Sequence, residues 1–126
     1  MIIRYLSVAD VVAIHDMQIE RFGGGDGLRD PGALESALYR PQSGYYKNVI
    51  QEAAALWESL SQNHPFVDGN KRTAFVSTFL FLSVNNIEVT ASSKKALEFV
   101  MNCYENSIAN YETFEAWLRQ NTQAIL

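Results

Sequence analysis

The 126 residues of this chain fit one domain, 1–126, and not two, since single domains mostly run to ~100–150 residues. At 48% hydrophobic and 19% charged residues the composition excludes a disordered or fibrous chain. Ten basic residues against fourteen acidic ones leave a net charge of −4, the wrong sign for a domain that lives on a phosphate backbone, so no direct nucleic-acid partner is expected.

Ser7 is placed to cap a first helix, in which Val8, Val11, Val12, His15, Ile19 and Phe22 fall on one stripe at three-and-four spacing. Met1 to Leu6, ahead of it, lacks the long apolar core of a signal peptide. His15 stands on that stripe with Val12 and Ile19 and reads as a satisfied core histidine. The run Gly23-Gly24-Gly25-Asp26-Gly27 ends the helix and reads as a flexible turn. It follows a helix rather than a strand, and its glycines fit neither the dinucleotide fingerprint nor the P-loop. Asp30-Pro31 is an N-cap with proline in the first helical position, opening a short helix through Ala33, Leu34, Ala37 and Leu38. Pro41 to Asn48, with Gly44 and the pair Tyr45-Tyr46, breaks the periodicity and is expected to be an exposed connection and a candidate binding edge.

A third helix runs from about Val49 to Asn63, with Ile50, Ala53, Ala54, Trp57 and Leu60 on its buried stripe. Pro65 and Gly69 make His64 to Arg72 a loop. From Thr73 to Val84 the sequence is apolar on every side of a helical wheel, the mark of a central helix surrounded by others. Ser77, Thr78 and Ser83 interrupt it, and a bilayer span needs ~20 mostly apolar residues, so no membrane segment is expected. Asn85-Asn86 suits the end of this helix, Ile87 to Thr90 has room to be briefly extended, and Ser92 or Ser93 caps another helix. That helix carries Leu97, Val100, Met101, Tyr104 and Ile108 on one face. Its Cys103, the single cysteine, can form neither an internal disulfide nor a zinc cluster, which points to a reducing, cytoplasmic compartment. A last helix holds Phe114, Trp117 and Leu118. The expected fold class is all-α, a compact bundle around a central buried helix, with room for a short flap or strand pair.

The chemistry concentrates between His64 and Arg72. His64 can be neutral near physiological pH and accept a proton from an attacking alcohol, the role of a base. Asp68 offers one carboxylate, and magnesium in nucleotide sites is commonly held by one or two carboxylates, with phosphate oxygens and water completing the shell. Gly69 lets the backbone approach a ligand closely, while Asn70, Lys71 and Arg72 sit where the loop enters the central helix. Unpaired amides and the positive end of the helix dipole favour an anion there. Arg72 can grip phosphate through two parallel hydrogen bonds and Lys71 acts as a movable point charge. Pro65 stiffens the turn and Phe66 is expected to plug into the core.

The stretch His64-Pro65-Phe66-Val67-Asp68-Gly69-Asn70-Lys71-Arg72 resembles the signature His-x-Phe-x-Asp/Glu-Gly/Ala-Asn-x-Arg of the Fic/Doc family at every fixed position. Ile14-His15-Asp16, Gly27-Leu28-Arg29-Asp30-Pro31-Gly32, Arg40-Pro41-Gln42 and Lys71-Arg72-Thr73-Ala74 are similar to the death-on-curing (Doc) branch. The resemblance covers the chain from about Tyr5 to Asn86. It implies a Fic-type helical fold and transfer from a nucleoside triphosphate, ATP with Mg2+, to a hydroxyl of another protein. His64 and Arg72 would be catalytic, Gly69, Asn70, Lys71 and Arg72 would hold the nucleotide, and Asp68 would hold the metal. Lysine at 71, where adenylylating members carry glycine, implies the Doc-type reaction, γ-phosphate transfer by a toxin whose family target is elongation factor Tu. Pro65-Phe66 and Gly69 are nearer the adenylylating pattern, so AMP transfer is the alternative, and a non-catalytic phosphate-binding module is a third. Family adenylyltransferases are often restrained by a helix bearing Ser/Thr-x-x-x-Glu-Gly/Asn. Here Glu105-Asn106 is preceded by Met101, which gives no such internal brake. The implied partner is then a separate antitoxin of the Phd type, a disordered tail that folds across a groove. The connection from Pro41 to Asn48 corresponds to the family's flap, with Tyr45, Tyr46 and Lys47 as target-contacting candidates.

Overall fold

Helices begin where something satisfies the open amides of their first turn, and this chain writes most of those starts in its side chains. In the computed structural model, which describes residues 2–125, Ser7 and Asp10 form a reciprocal capping box at the start of α1 (Val8–Phe22). Asp30 accepts from Ala33 N ahead of α2 (Pro31–Tyr39), and Asn48 accepts from Gln51 N ahead of α3 (Val49–Asn63). The start of α4 (Asn70–Val84) differs: its N-cap is Gly69, in the left-handed region at φ 74°, and no side chain caps it. Ser92 then caps α5 (Ser93–Glu105) and Asn110 caps α6 (Tyr111–Gln120). A two-stranded antiparallel sheet pairs β1 (Ile87–Val89) with β2 (Thr122–Ala124), Ile87 opposite Ala124 and Val89 opposite Thr122.

The architecture is all-α apart from that small sheet. α3 lies against α2, α4 and α6, and α4 lies against α1 and α3. Both of the paired helices bury small residues, Ala53, Ala54 and Ala55 on α3 and Ala74, Ser77 and Thr78 on α4, and small side chains let helix axes approach. Above them sits an aromatic cluster. Trp57 is fully buried, stacked on Phe114 at 4.1 Å and met edge-on by Phe79, Phe99 and Trp117. The centre is shared: α3 carries the longer buried stretch, while Leu80 and Val84 of α4 reach solvent.

Three local readings change. α4 starts at Asn70, three residues before the apolar run, because the left-handed Gly69 ends the loop there and Asn70, Lys71 and Arg72 form the helix's first turn. α5 turns a different face inward: Ala96, Val100 and Cys103 are buried, whereas Leu97 and Met101 are 50% and 52% exposed and Ile108 lies beyond the helix. The expected stripe followed the largest side chains, but the helix packs its small ones. The strand pair forms from Ile87–Val89 and the C-terminal Thr122–Ala124, while the flap segment has a 3-10 turn, Arg40–Gln42, and no strand. No helix among the described residues is long and apolar enough to cross a membrane.

Candidate active site

The loop from His64 to Gly69 is held by side chains and backbone from three directions. His64 ends α3 in the left-handed region, φ 47° and ψ 56°. Its carbonyl accepts from Arg29, through Nε at 3.0 Å and also through Nη2, so a guanidinium sits at the negative end of α3. Pro65 O accepts from the amides of Arg29 and Asp30 at 2.8 and 2.9 Å, and Val67 N donates to Gly27 O at 3.0 Å. A strand-like bridge, Leu28 to Phe66, thus forms where the sequence suggested only two loops.

Below the loop, Phe66 is buried as expected and stacks on His15, ring centroids 3.8 Å apart and planes 5° apart. His15 is the expected core histidine, 1% exposed, and its Nε2 donates to the carbonyl of Asp68 at 2.8 Å. It is therefore also a support of the loop. Asn70 closes the turn from the other side: Oδ1 accepts from Phe66 N and Nδ2 donates to Phe66 O, each at 3.0 Å. The Asn70 side chain is thereby occupied, which leaves its main-chain amide to meet a ligand.

Asp68 projects at the rim. Oδ1 accepts from Gly69 N at 2.8 Å and Oδ2 from Gly25 N at 3.2 Å. These two backbone bonds, Gly69 first, hold its carboxyl below the usual carboxylate range, with the Arg72 guanidinium adding to the effect against desolvation. Asp68 bonds to the N-cap residue and not to a first-turn amide, so it does not cap α4. Arg72 leans over the Phe22 ring at 5.4 Å and donates through Nη2 to Gly23 O at 3.1 Å, while its buried Nε has no hydrogen-bond partner among the described residues. Lys71 holds its Nζ 4.8 Å from the centre of the Tyr104 ring, and the Tyr104 hydroxyl is hydrogen-bonded to Ser61 Oγ.

These groups surround one hollow of about 290 Å³, lined by His64, Val67, Asp68, Gly69, Asn70, Lys71 and Arg72. A neighbouring hollow of about 380 Å³ shares His64 and Lys71 and extends to Ser61, Gln62, Tyr104 and Ser107. Two cations in the first turn of an uncapped helix oppose its dipole, each by about 0.3–1 kcal/mol. An anion in the hollow would reverse that penalty and meet the open amides. Chemically, the arrangement pairs an exposed imidazole with a helix N-terminus that no side chain caps and an ionised carboxylate.

Two parts of the site escaped sequence reasoning. The run Gly23–Gly27 is a wall of the site, since it supplies Gly25 N to Asp68, Gly23 O to Arg72 and Gly27 O to Val67. At Gly24, φ 116°, an added Cβ would lie 2.7 Å from Asp68 Oδ2, so a side chain there would displace the carboxylate. Arg29 is the other, and one sequence carries no signal that links it to His64. The flap residues behave unequally. Tyr46 is pinned by Arg40 Nε at 2.8 Å, with Arg40 Nη1 also paired to Glu58 at 2.8 Å, while Tyr45 is 82% exposed and Lys47 is exposed.

The Fic/DOC family model matches residues 5–82, which hold the loop and every residue that lines the 290 Å³ hollow; of the neighbouring hollow only Tyr104, Ser107 and Ala109 fall outside the match. The chain belongs to the Fic/Doc family. Among curated proteins it is similar to "Toxin Doc" of Mycolicibacterium smegmatis (strain ATCC 700084 / mc(2)155), 39% identical over 92 residues, covering 69% of this chain and 68% of that protein. It is also similar to "Protein kinase doc" of Escherichia phage P1, 35% identical over 97 residues, covering 74% of this chain and 77% of that protein. The Fic/Doc fold expected from the motif is the fold observed. Glu105, whose Glu-Asn pair lacks the Ser/Thr of the brake motif, lines a third hollow with Lys71 and Arg72 but makes no ion pair with either among the described residues.

Proposed function

We propose that this chain is a Doc-type toxin that transfers the γ-phosphate of ATP to a hydroxyl of a target protein, with elongation factor Tu as the target by resemblance. The observation that carries this reading is the common hollow: His64, Asp68 and Arg72 line it together at the one α-helix start among the described residues that has no side-chain cap. Support also comes from the two similar proteins, whose names pair toxin with kinase.

In this reading His64 takes the proton of the incoming hydroxyl, and Arg29 keeps it in place by holding its carbonyl. The first-turn amides from Asn70 to Arg72 and the Arg72 guanidinium hold the phosphate chain, and the bare Arg72 Nε gains an acceptor. Lys71, swung from the Tyr104 ring, places a charge on the terminal phosphates. A magnesium-class cation fits the donor chemistry, because Asp68 is ionised and each of its oxygens keeps a lone pair beyond its single backbone bond. When bound, such an ion neutralises charge on the phosphate oxygens.

The partner that restrains the toxin is a Phd-type antitoxin. An apolar groove of about 620 Å³ beside Arg72, walled by Phe22, Phe75, Phe79 and Leu97, suits an amphipathic helix. The deciding experiment incubates the chain and target with γ-labelled or α-labelled ATP. Label arriving from γ, and lost in His64→Ala, is expected; label arriving only from α would reject phosphate transfer in favour of adenylylation. Growth arrest that survives both His64→Ala and Asp68→Ala would reject catalysis altogether.

A further inference from the structure

His15 stands behind the loop with only one of its ring nitrogens engaged. Its Nε2 meets the carbonyl of Asp68 at 2.8 Å, and a carbonyl only accepts, so Nε2 carries the hydrogen. The neutral ring then has its lone pair on Nδ1, which makes no hydrogen bond among the described residues and lies 3.9 Å from Asp16 Oδ1. Asp26, from the glycine run, completes the group: ligand atoms of His15, Asp16 and Asp26 all lie within 4.8 Å of one another.

We propose that His15 Nδ1, Asp16 and Asp26 form a binding site for a zinc-class divalent metal ion, separate from the nucleotide hollow. The ring is built as a metal ligand is built. It is 1% exposed, clamped face-on by Phe66 at 3.8 Å, and has its tautomer fixed by a carbonyl on the far nitrogen, the second-shell arrangement of ligating histidines. One imidazole and two carboxylates give three protein ligands, leaving a fourth position for water. Ligand atoms around such an ion stand roughly 3.4 Å apart at metal distances near 2.1 Å. Closing separations of at most 4.8 Å to that value takes up to roughly 1.4 Å of movement, which two exposed aspartates supply by rotamer changes. The imidazole selects zinc, nickel or copper over magnesium, whose preference is for oxygen.

The ion would tie Asp26, in the glycine run, to α1. That run holds the Asp68 carboxylate through Gly25 N and Arg72 through Gly23 O, so metal binding stiffens the wall of the active site from behind.

The test is calorimetric titration of the full chain with ZnCl2, without nucleotide, paired with thermal melts. One equivalent of Zn2+ is expected to bind and raise the melting temperature. Asp16→Asn and Asp26→Asn, both exposed substitutions, should weaken binding by about tenfold or more while leaving the metal-free melt unchanged. Asp68→Asn should bind as the wild type, and excess MgCl2 should not compete. Zinc binding that survives both Asp16→Asn and Asp26→Asn, that disappears in Asp68→Asn, or that is absent altogether overturns the proposal. Because no nucleotide or target is present, the outcome is independent of whether the chain transfers phosphate.

Discussion

The two ends of α4 each carry an asparagine that spends its side-chain amide on the backbone, and they leave the helix in opposite conditions. At the C-terminal end Asn85 is 4% exposed and fully used: Oδ1 accepts from Arg4 N at 2.8 Å, and Nδ2 donates to Arg4 O at 2.9 Å and Phe81 O at 2.8 Å. Asn86 O then accepts from Ile125 N, so Arg4 and Ile125 both dock there. At the N-terminal end Asn70 grips Phe66 just as firmly, yet the first-turn amides of the helix receive no side chain and two cations crowd them. One end has its polar groups satisfied by the fold; the other is rigid around groups left open. The difference locates function, because a rigid rim around unsatisfied donors is what a bound anion needs.

Substitutions at the two ends should therefore fail in different assays. The largest effect is expected from His64→Asn, since asparagine tolerates the left-handed backbone at that position. Transfer by the proposed reaction should fall by about 10²–10⁴-fold, with the urea midpoint unchanged. Next comes Asn70→Ala, which frees the Phe66 backbone; transfer should drop by up to about 10²-fold for a stability loss of about 1 kcal/mol. Asn85→Ala inverts that pattern. Left without the Asn85 amide, the buried Phe81 carbonyl and the Arg4 backbone should lose about 1–3 kcal/mol of stability in denaturant unfolding, with transfer per folded molecule unchanged.

Much of this contrast was legible in the chain itself. The motif from His64 to Arg72 marked the candidate site, whose residues the fold gathers around one hollow, and Ser7, Asp30-Pro31 and Ser92 announced three helix starts through local chemistry that needs no tertiary partner. What stayed hidden depends on long-range contacts. Arg29 reaches His64 across 35 residues and Gly25 reaches Asp68 across 43, and periodicity cannot report such pairs. The inward face of α5 was misjudged for a related reason: Leu97 and Met101 look like core by size, but packing chose Ala96 and Cys103. The Cys103 thiol is raised to about 11 by burial, which agrees with an inert packing role.

The smallest effect concerns pH. The folded-state pKa of Asp68 lies below its ordinary value, so its backbone bonds contribute stability above the unfolded carboxylate value, and that contribution is lost as pH falls through the folded one. In a carboxyl-resolved titration its midpoint should fall below about 3.9, and Asp68→Asn should flatten the acid limb of stability slightly. A midpoint at or above the ordinary value would remove the anchored carboxylate from the rim of the site.

The open end of α4 is proposed to hold a triphosphate, and amide NMR during titration with a non-hydrolysable ATP analogue and Mg2+ tests this most directly. The backbone N–H signals of Gly69, Asn70, Lys71 and Arg72 are predicted to shift together and saturate, while those of Asn85 and Asn86 stay still. Saturable binding that leaves the Gly69 to Arg72 amides unmoved would contradict it.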